Sequence, residues 1–265
     1  MPEASHTDFA PVLSAFSPVS LEEMDSVKLM NRIDTKYVCT EATLLSILED
    51  AAAAGYRVLE VDGSRISPYD SVYYDTPALK MFRDHRNKRL VRQKVRTRCY
   101  VLSGEAFLEI KRKNNKGRTK KKRTRIPLEE MMDFRADSAA VDYLASHSAF
   151  RVEDLLPSAE TSFRRITLVN PGMTERLTID CALKFRNLRT RMGASLKDAV
   201  IIELKQDGRE RSRMKEILLE RRVHPFRVSK YCIAVTLTDP SAMPGRFKLK
   251  VRGIEKIIDN KISIL

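Results

Sequence analysis

Two neighbouring segments of the chain place charged, mainly basic residues at every second position over most of their length. They are Arg92–Tyr100 and Phe107–Lys113. Successive side chains of a β-strand point to opposite faces, so the basic residues of each segment would share one face. The apolar residues would form the back. We therefore predict two adjacent strands with a dense cationic face, a surface suited to a polyanion.

Composition limits the classes of protein that this chain can belong to. Its 265 residues are 43% hydrophobic, enough to bury one large core or two modest ones, and its net charge of +14 would attract phosphate-rich partners or acidic membranes. Four cysteines, at positions 39, 99, 181 and 232, lack metal-ligand spacing and read as reduced residues, which favours the cytoplasm. We expect neither a secretory signal nor a transmembrane span.

The remaining patterns predict a mixed chain of strands and helices. Residues 1–28 read as a lead-in with a short helix from Leu21 to Met30, capped by Ser20. Further helical segments are expected from Thr40 to about Ala54, from Leu128 to about Asp154, and from Gly208 to Arg222. The other strands are predicted at 32–39, 56–61, 66–75, 121–128, 163–168, 176–180 and 200–205, and 228–232 is counted with them. Residues 29–238 would form one domain, followed by a basic tail or helix at 239–265.

Several of these strands carry cations on one face. In a closed barrel, inward charges must be balanced or hydrated. The cations of the strand set are Arg32, Lys36, Lys94, Arg96, Arg98, Lys111, Lys113, Lys121, Arg123, Arg165, Arg176, Lys205 and Lys230, and the carboxylates are Asp34, Glu109, Asp180 and Glu203. A bound polyphosphate would balance the excess, and the few carboxylates could hold a divalent metal.

An ordered set of short motifs between about Met30 and Val235 supports a family resemblance. The motifs are Arg32/Thr35-Lys36-Tyr37, Ser71-x-Tyr73-Tyr74-Asp75-Thr76, Lys94-Val95-Arg96-x-Arg98-x-Tyr100, Phe107-Leu108-Glu109-x-Lys111, Lys121-x-Arg123, Arg165, Arg176-x-Thr178-x-Asp180, Glu203-x-Lys205 and Ser229-Lys230-Tyr231. Together they resemble the VTC domain, the polyphosphate polymerase module of the vacuolar transporter chaperone family, within the triphosphate tunnel metalloenzyme (CYTH-like) superfamily. The resemblance implies an α+β fold, a closed antiparallel eight-stranded β-barrel with flanking helices.

The resemblance also implies an activity and a set of site residues. The activity would be transfer of the γ-phosphate of ATP to a growing inorganic polyphosphate chain, with Mn²⁺ or Mg²⁺ as cofactor. The candidate catalytic residues are Arg96, Arg98, Lys111, Arg176 and Lys230; the candidate phosphate-binding residues are Lys36, Lys94, Lys113, Lys121, Arg123, Arg165 and Lys205; the candidate metal ligand is Glu203. Related tunnel enzymes carry Glu-x-Glu-x-Lys on the first strand, whereas this chain has Arg32-Ile33-Asp34-Thr35-Lys36, which matches the polymerase branch better.

Other interpretations stay open at this point. The same site would be a tunnel phosphohydrolase if water attacked the phosphate, and a non-enzymatic module could bind polyphosphate or nucleic acid through the same surface. Nucleic acid ranks lower because the chain has no Trp and its basic faces alternate mainly with aliphatic residues. For Glu109 and Asp180, a role as salt-bridge partners is the preferred interpretation, and metal ligation is the alternative. Asp75 is expected to cap the turn that follows it.

The tail carries apolar residues at helical spacing, surrounded by lysine and arginine. A helix on a membrane surface would have this pattern. Packing against the chain's own domain or against a partner is the preferred interpretation, and a membrane-protein partner remains an alternative.

Overall fold

The computed structural model describes residues 7–25, 32–208 and 210–265, which hold eight α-helices and twelve strands. The helices are α1 Ala10–Leu13, α2 Leu21–Asp25, α3 Glu41–Ala53, α4 Lys80–Arg86, α5 Ser138–His147, α6 Arg213–Glu220, α7 Lys230–Thr238 and α8 Arg246–Ile257. The strands are β1 Ser17–Val19, β2 Arg32–Thr40, β3 Arg57–Leu59, β4 Ser67–Asp75, β5 Arg92–Tyr100, β6 Glu105–Lys113, β7 Thr119–Ile126, β8 Leu156–Val169, β9 Glu175–Asn187, β10 Gly193–Ser195, β11 Ala199–Asp207 and β12 Ser263–Ile264. Three short 3-10 turns lie between β7 and β8.

Side-chain caps fix where the early helices begin. Ser20 and Glu23 form a reciprocal capping box at α2: the Glu23 amide donates to Ser20 Oγ, and the Ser20 amide donates to the Glu23 carboxylate. The predicted cap of α2 is confirmed, whereas the stretch of that predicted helix after Asp25 lies outside the described residues. At α3, Thr40 Oγ1 accepts from the Thr43 amide, as its position before the helix predicted.

Eight of the strands form the main antiparallel sheet. Their order across the sheet is β7-β6-β5-β4-β8-β9-β11-β2. The four short strands are added to this sheet: β3 pairs with the end of β8 and with β1, and β10 pairs with the far half of β9 and with β12. The prediction of an α+β fold built on an antiparallel sheet is confirmed.

The prediction that this sheet closes into an eight-stranded barrel is wrong. Among the described residues, no hydrogen bond joins the edge strands β2 and β7. The free edge of β2 is occupied by another segment, since the Phe226 amide donates to the Lys36 carbonyl (2.6 Å) and Tyr37 bridges Pro225. Strand β7 is an exposed, lysine-rich edge, a composition that discourages further strand pairing.

The two faces of the curved sheet differ as the alternation predicted. Apolar side chains on the convex face form two buried clusters, one covered by α3 and α6 and the other by α5 and the 3-10 turns. A third cluster lies on the concave face at one end of the sheet, where α7 packs against β8 and β9. The rest of the concave face carries the cationic rows, so α7 places its first residues beside them.

The prediction of a strand at 228–232 is wrong, because a helix begins at Lys230. Ser229 caps α7 by accepting from the Cys232 amide (3.3 Å). The residues that follow form a continuous apolar run, and such a run is compatible with a buried strand or a buried helix. Lys230 therefore reaches the concave face from the first position of a helix.

The basic tail packs on its own domain, in agreement with the preferred interpretation. Helix α8 buries Phe247 and Ile254 in the cluster that holds α7, and Ile258 and Ile262 extend that contact. In the part of the chain that the structure describes, every helix is too short or too polar to cross a membrane.

Candidate phosphate-binding site

Cross-strand pairing aligns the candidate residues in rows on the concave face. On one half of the sheet, Lys94, Lys111 and Lys121 lie opposite one another on β5, β6 and β7. The next row is Tyr73, Arg96, Glu109 and Arg123, from β4 to β7. On the other half, the rows are Arg165 with Asp180; Thr178 with Glu203 and Lys36; and Arg176 with Lys205.

Glu109 is the anchor of the first half. Its carboxylate is 2% exposed and accepts from Arg96 Nε (2.8 Å) and Nη2 (2.5 Å) and from Lys121 Nζ (2.8 Å). Burial alone would raise the pKa of Glu109, yet the charges of Arg96, Arg98 and Lys121 lower it far below its usual value. The prediction that Glu109 is a salt-bridge partner is confirmed.

Asp180 has the same function on the second half. It is 2% exposed and accepts from Arg165 Nε (2.6 Å) and Nη2 (2.9 Å), and Lys230 Nζ donates to it from α7. Burial opposes ionisation, but the two cations lower the pKa of Asp180 well below its usual value. The predicted salt-bridge role of Asp180 is also confirmed, and through it helix α7 is attached to β8 and β9.

Glu203 lies between two lysines, with its carboxylate 3.0 Å from Lys205 Nζ and 3.7 Å from Lys36 Nζ. Despite burial, these cations lower its pKa well below the usual value. Within the described residues, no group of three or more His, Cys, Asp or Glu side chains could hold a metal. Mg²⁺ commonly uses one or two carboxylates together with phosphate oxygens and water. A single ionised Glu203 fits that pattern, and an all-protein metal cage does not.

Five candidate cations of the concave face form no ion pair with a carboxylate in the described residues: Lys94, Arg98, Lys111, Lys113 and Arg123. Lys94 Nζ donates to Ser229 Oγ (2.8 Å), and Arg98 Nε donates to Ser71 Oγ (3.0 Å). Burial lowers the pKa of Lys94 to about 8 and that of Arg98 to about 10. Positive charge thus exceeds negative charge on the concave face.

The two halves of the curved sheet face each other across this site. Strand β6, which carries Lys111, pairs with β5 and β7 and not with β11 or β2. Nevertheless, the charge of Lys36 adds to lost hydration in lowering the pKa of Lys111, and the charge of Glu203 partly opposes this. The charge of Lys36 also contributes to lowering the pKa of Lys94 and of Lys230. Lys94 on β5 also contacts Ser229, and the next residue, Lys230, contacts Asp180 on β9, so cations of both halves meet at the start of α7 although the sheet does not close.

Not every candidate lies at this centre. Lys113 lies opposite Arg92 and Thr119 where β6 leaves the sheet for the turn to β7, and Arg123 stands over the Phe107 ring (4.5 Å) on the outer side. Arg176 is half-buried opposite Lys205. The structure leaves the catalytic or binding role of each candidate as a prediction.

Sequence reasoning did not include Tyr73 among the site residues. Its hydroxyl accepts from Arg96 Nη1 (3.0 Å) and its ring stacks on Tyr231 (centroids 5.2 Å apart). Burial would raise the pKa of Tyr73, but Arg96, Arg98, Lys94 and Lys230 together lower it to about 7. Tyr73 lies two residues after Ser71 on β4 and therefore shares its face, and this spacing was the signal that could have identified Tyr73. Tyr231 in turn donates to Asp75, which also caps α4 as expected.

Aromatic rings lie beside several cations on the concave face itself, whereas aliphatic residues such as Val95, Ile110 and Leu204 lie on its back. Arg165 stands over Tyr69 (4.8 Å) and Phe163 (5.2 Å), and Lys230 stands over Phe163 (4.5 Å). The two rings are 9% and 3% exposed. They are covered by the cations and by protein, and so present no open face for a nucleic acid base to stack on.

With the fold and this cation-lined face described, the comparison with known families is specific. The sequence model of the VTC domain matches residues 31–238. The chain therefore belongs to the VTC domain family. None of the curated proteins compared with the chain matches it.

Solved structures show a distant likeness. A candidate adenylate cyclase from Bacillus halodurans is 13% identical, with a TM-score of 0.48, and the match covers 76% of this chain and 96% of that one. A candidate adenylate cyclase from Vibrio parahaemolyticus is 11% identical (TM-score 0.45, 76% and 96% covered). A candidate adenylyl cyclase from Hippeastrum, described as having a dominant triphosphatase activity, is 14% identical (TM-score 0.44, 77% and 95% covered). At this distance the neighbours carry no argument about function.

Proposed function

We propose that this protein is a metal-dependent polyphosphate polymerase that transfers the γ-phosphate of ATP to an inorganic polyphosphate chain. The observation that carries the proposal is the convergence of cations from β2, β5, β7, β8, β11 and α7 around three carboxylates, each of which already holds two cations. The surplus charge requires an anionic ligand with many oxygens. Membership of the VTC domain family supports a phosphate chain as that ligand.

Phosphoryl transfer needs little beyond this arrangement. An oxygen of the terminal phosphate of the chain attacks the γ-phosphorus of ATP. The bond from that phosphorus to the β,γ-bridging oxygen breaks, and ADP leaves with the electron pair. The transition state is loose, so catalysis is chiefly positioning and charge stabilisation. Arg96, Arg98, Lys111, Arg176 and Lys230 would stabilise the transferring group. The remaining cations would hold the chain: Lys36, Lys94, Lys113, Lys121, Arg123, Arg165 and Lys205.

None of the three carboxylates of the site is suited to act as the base that activates water. A hydrolase gains from a general base with a pKa near neutrality. Glu109, Asp180 and Glu203 are all held ionised, with pKa values far below neutrality, and each is already occupied by two cations. They are poor bases for activating water. A terminal phosphate is already anionic at neutral pH and needs no base.

We assign the metal to Glu203, as Mn²⁺ or Mg²⁺. Glu203 would hold the cation, whose charge would neutralise part of the negative charge of the phosphates. The carboxylate must then turn from Lys36 or Lys205, and those lysines would be left to bind phosphate. ATP and polyphosphate are the proposed partners; a cytoplasmic location and a membrane-protein partner remain predictions.

The test is a product assay with the purified full chain, ATP and Mn²⁺ or Mg²⁺. We expect polyphosphate and ADP to accumulate together. Lys230→Ala should abolish both, whereas Lys215→Ala, a matched change on the exposed side of α6, should not. Orthophosphate as the sole phosphate product would identify a phosphohydrolase instead. Binding of polyphosphate without any turnover would identify a binding module.

A further inference from the structure

The hairpin of β6 and β7 carries a density of positive charge that the concave site does not use. Residues 111–125 contain ten lysines and arginines and no aspartate or glutamate. The turn is well defined: the Arg118 amide donates to Asn114 Oδ1 (2.9 Å), the Asn114 amide donates to the Arg118 carbonyl (2.9 Å), and Gly117 takes φ +80°. The charges are thus held on an ordered hairpin.

The outer part of this hairpin is exposed and lacks counter-charges. Its members are Arg112, Lys116, Arg118, Lys120 and Lys122, all of them exposed. Within the described residues, none of the five forms an ion pair; the carboxylates of β6, Glu105 and Glu109, pair with Arg125, Arg96 and Lys121 instead. Arg112 lies directly opposite Lys120 on the convex side. Like charges in that relation destabilise a sheet.

Protection of an edge strand does not account for this pattern. Lysines on β7 would discourage pairing with another chain. Strand β6, however, is hydrogen-bonded on both sides, to β5 and to β7, and it carries Arg112 and Lys113 as well. Charge on an inner strand protects no edge, so the two basic residues of β6 call for a ligand.

The hairpin continues the cationic rows of the concave face. Lys111 and Lys121 lie opposite each other at the inner site, and Lys113 follows two residues further along β6. At about 3.3 Å per residue, β6 extends roughly 7 Å beyond Lys111 to its end at Lys113, and the turn that carries Lys116 and Arg118 lies beyond that end. A phosphate chain leaving the inner site in this direction would meet cations along its whole path.

We propose that the outer β6–β7 hairpin is a second binding site, which holds the part of a long inorganic polyphosphate chain that extends beyond the concave face. The proposal rests on the phosphate-chain binding assigned to that face above. The hairpin from 111 to 125 contains no aromatic residue, so it offers charge without a surface for base stacking. This composition fits a bare phosphate polymer better than a single-stranded nucleic acid.

The test is titration of the full chain with sodium tripolyphosphate and with long-chain inorganic polyphosphate over a range of salt concentrations. The variant combines Lys116→Gln, Arg118→Gln and Lys120→Gln. We expect its affinity for the long chain to fall at least about tenfold at low salt, and the slope of log affinity against log salt to fall by about 2 to 3. Tripolyphosphate, which fits within the concave face, should bind with unchanged affinity.

The matched control removes the same charge from α8 by Lys248→Gln, Arg252→Gln and Lys256→Gln, all exposed. An equal loss of long-chain affinity in this control would show that the effect comes from net charge alone, and it would overturn the proposal. So would an equal loss of tripolyphosphate affinity, or equally tight and equally hairpin-dependent binding of a single-stranded DNA oligonucleotide. The polymerase assignment is tested separately by the product assay. Orthophosphate as the only phosphate product would refute that assignment, but it would not affect a measured dependence of long-chain affinity on the hairpin.

Discussion

Asp180→Asn tests whether the cations of β8 and α7 are held together for a phosphate ligand. The wild-type carboxylate binds Arg165 and Lys230, and its loss leaves both without a counter-charge. Removing one partner of a buried ion pair costs about 3–5 kcal/mol. The side chains of Arg165 and Lys230 are 15% and 12% exposed, so water can partly hydrate them. We therefore expect a loss near the lower limit, about 3 kcal/mol, or roughly 6–12 °C in Tm.

The ligand dependence of the variant separates this account from a purely structural role. A phosphate chain would supply the negative charge that the substituted amide lacks, and in the variant it would no longer compete with a carboxylate for the two cations. Tripolyphosphate should therefore raise the Tm of the variant more than that of the wild type. A ligand at about 100 times its Kd stabilises by about 2.7 kcal/mol, enough to restore most of the loss.

Thermal denaturation with and without tripolyphosphate measures both effects. The pKa of Asp180 is depressed in the folded state, so its contribution is present above the unfolded value of about 4 and is lost as pH falls below it. The difference between wild type and variant should shrink accordingly in acid. Asp154→Asn, which breaks the exposed pair with Arg151, is the control and should change neither stability nor the ligand response. A variant that is less stable but gains no more from tripolyphosphate than the wild type would refute the reasoning.

Three further predictions follow from the ionisation of the site. The ultraviolet absorbance of the wild type should reveal one tyrosine that ionises near pH 7, absent in Tyr73→Phe; tripolyphosphate should raise that pKa because it neutralises the surrounding cations. Burial lowers the pKa of Lys94, Lys205 and Lys230 to about 8, so the affinity for tripolyphosphate, measured by calorimetry, should weaken as pH rises through 8. An affinity that does not change between pH 7 and 9 would show that these lysines keep their charge. Glu203→Gln should weaken the dependence of turnover on Mn²⁺ or Mg²⁺ more than it weakens ATP binding, and a wild-type metal titration would give Glu203 a structural role only.

The alternation of charged and apolar residues predicted the face of the sheet on which each candidate lies. That succeeded for β5, where the period-two pattern is uninterrupted, and for the parts of β6 and β11 in which charged and apolar residues alternate. It failed to predict the lengths of β8 and β9, which run to 14 and 13 residues. Pro157 and Glu160 interrupt the apolar pattern of β8, and pairing with β4 and β9 overrides the local sequence.

Two other features depend on contacts between distant residues. Closure of the sheet would require β2 to pair with β7, and nothing in either strand reveals that Pro225 and Phe226 occupy the β2 edge. The helix at Lys230 follows from its burial between β8, β9 and α8 and from the Ser229 cap. The apolar run itself fits a strand equally well. The convergence of the cations was therefore predictable, but the way in which Lys230 joins them was not.

The most direct test of the account is an experimental structure of the protein with tripolyphosphate bound. The account predicts one phosphate chain on the concave face, contacted together by Arg96 from β5, Arg165 from β8 and Lys230 from α7. Phosphates bound separately on the convex face or along α8, with the concave face filled only by water, would contradict it.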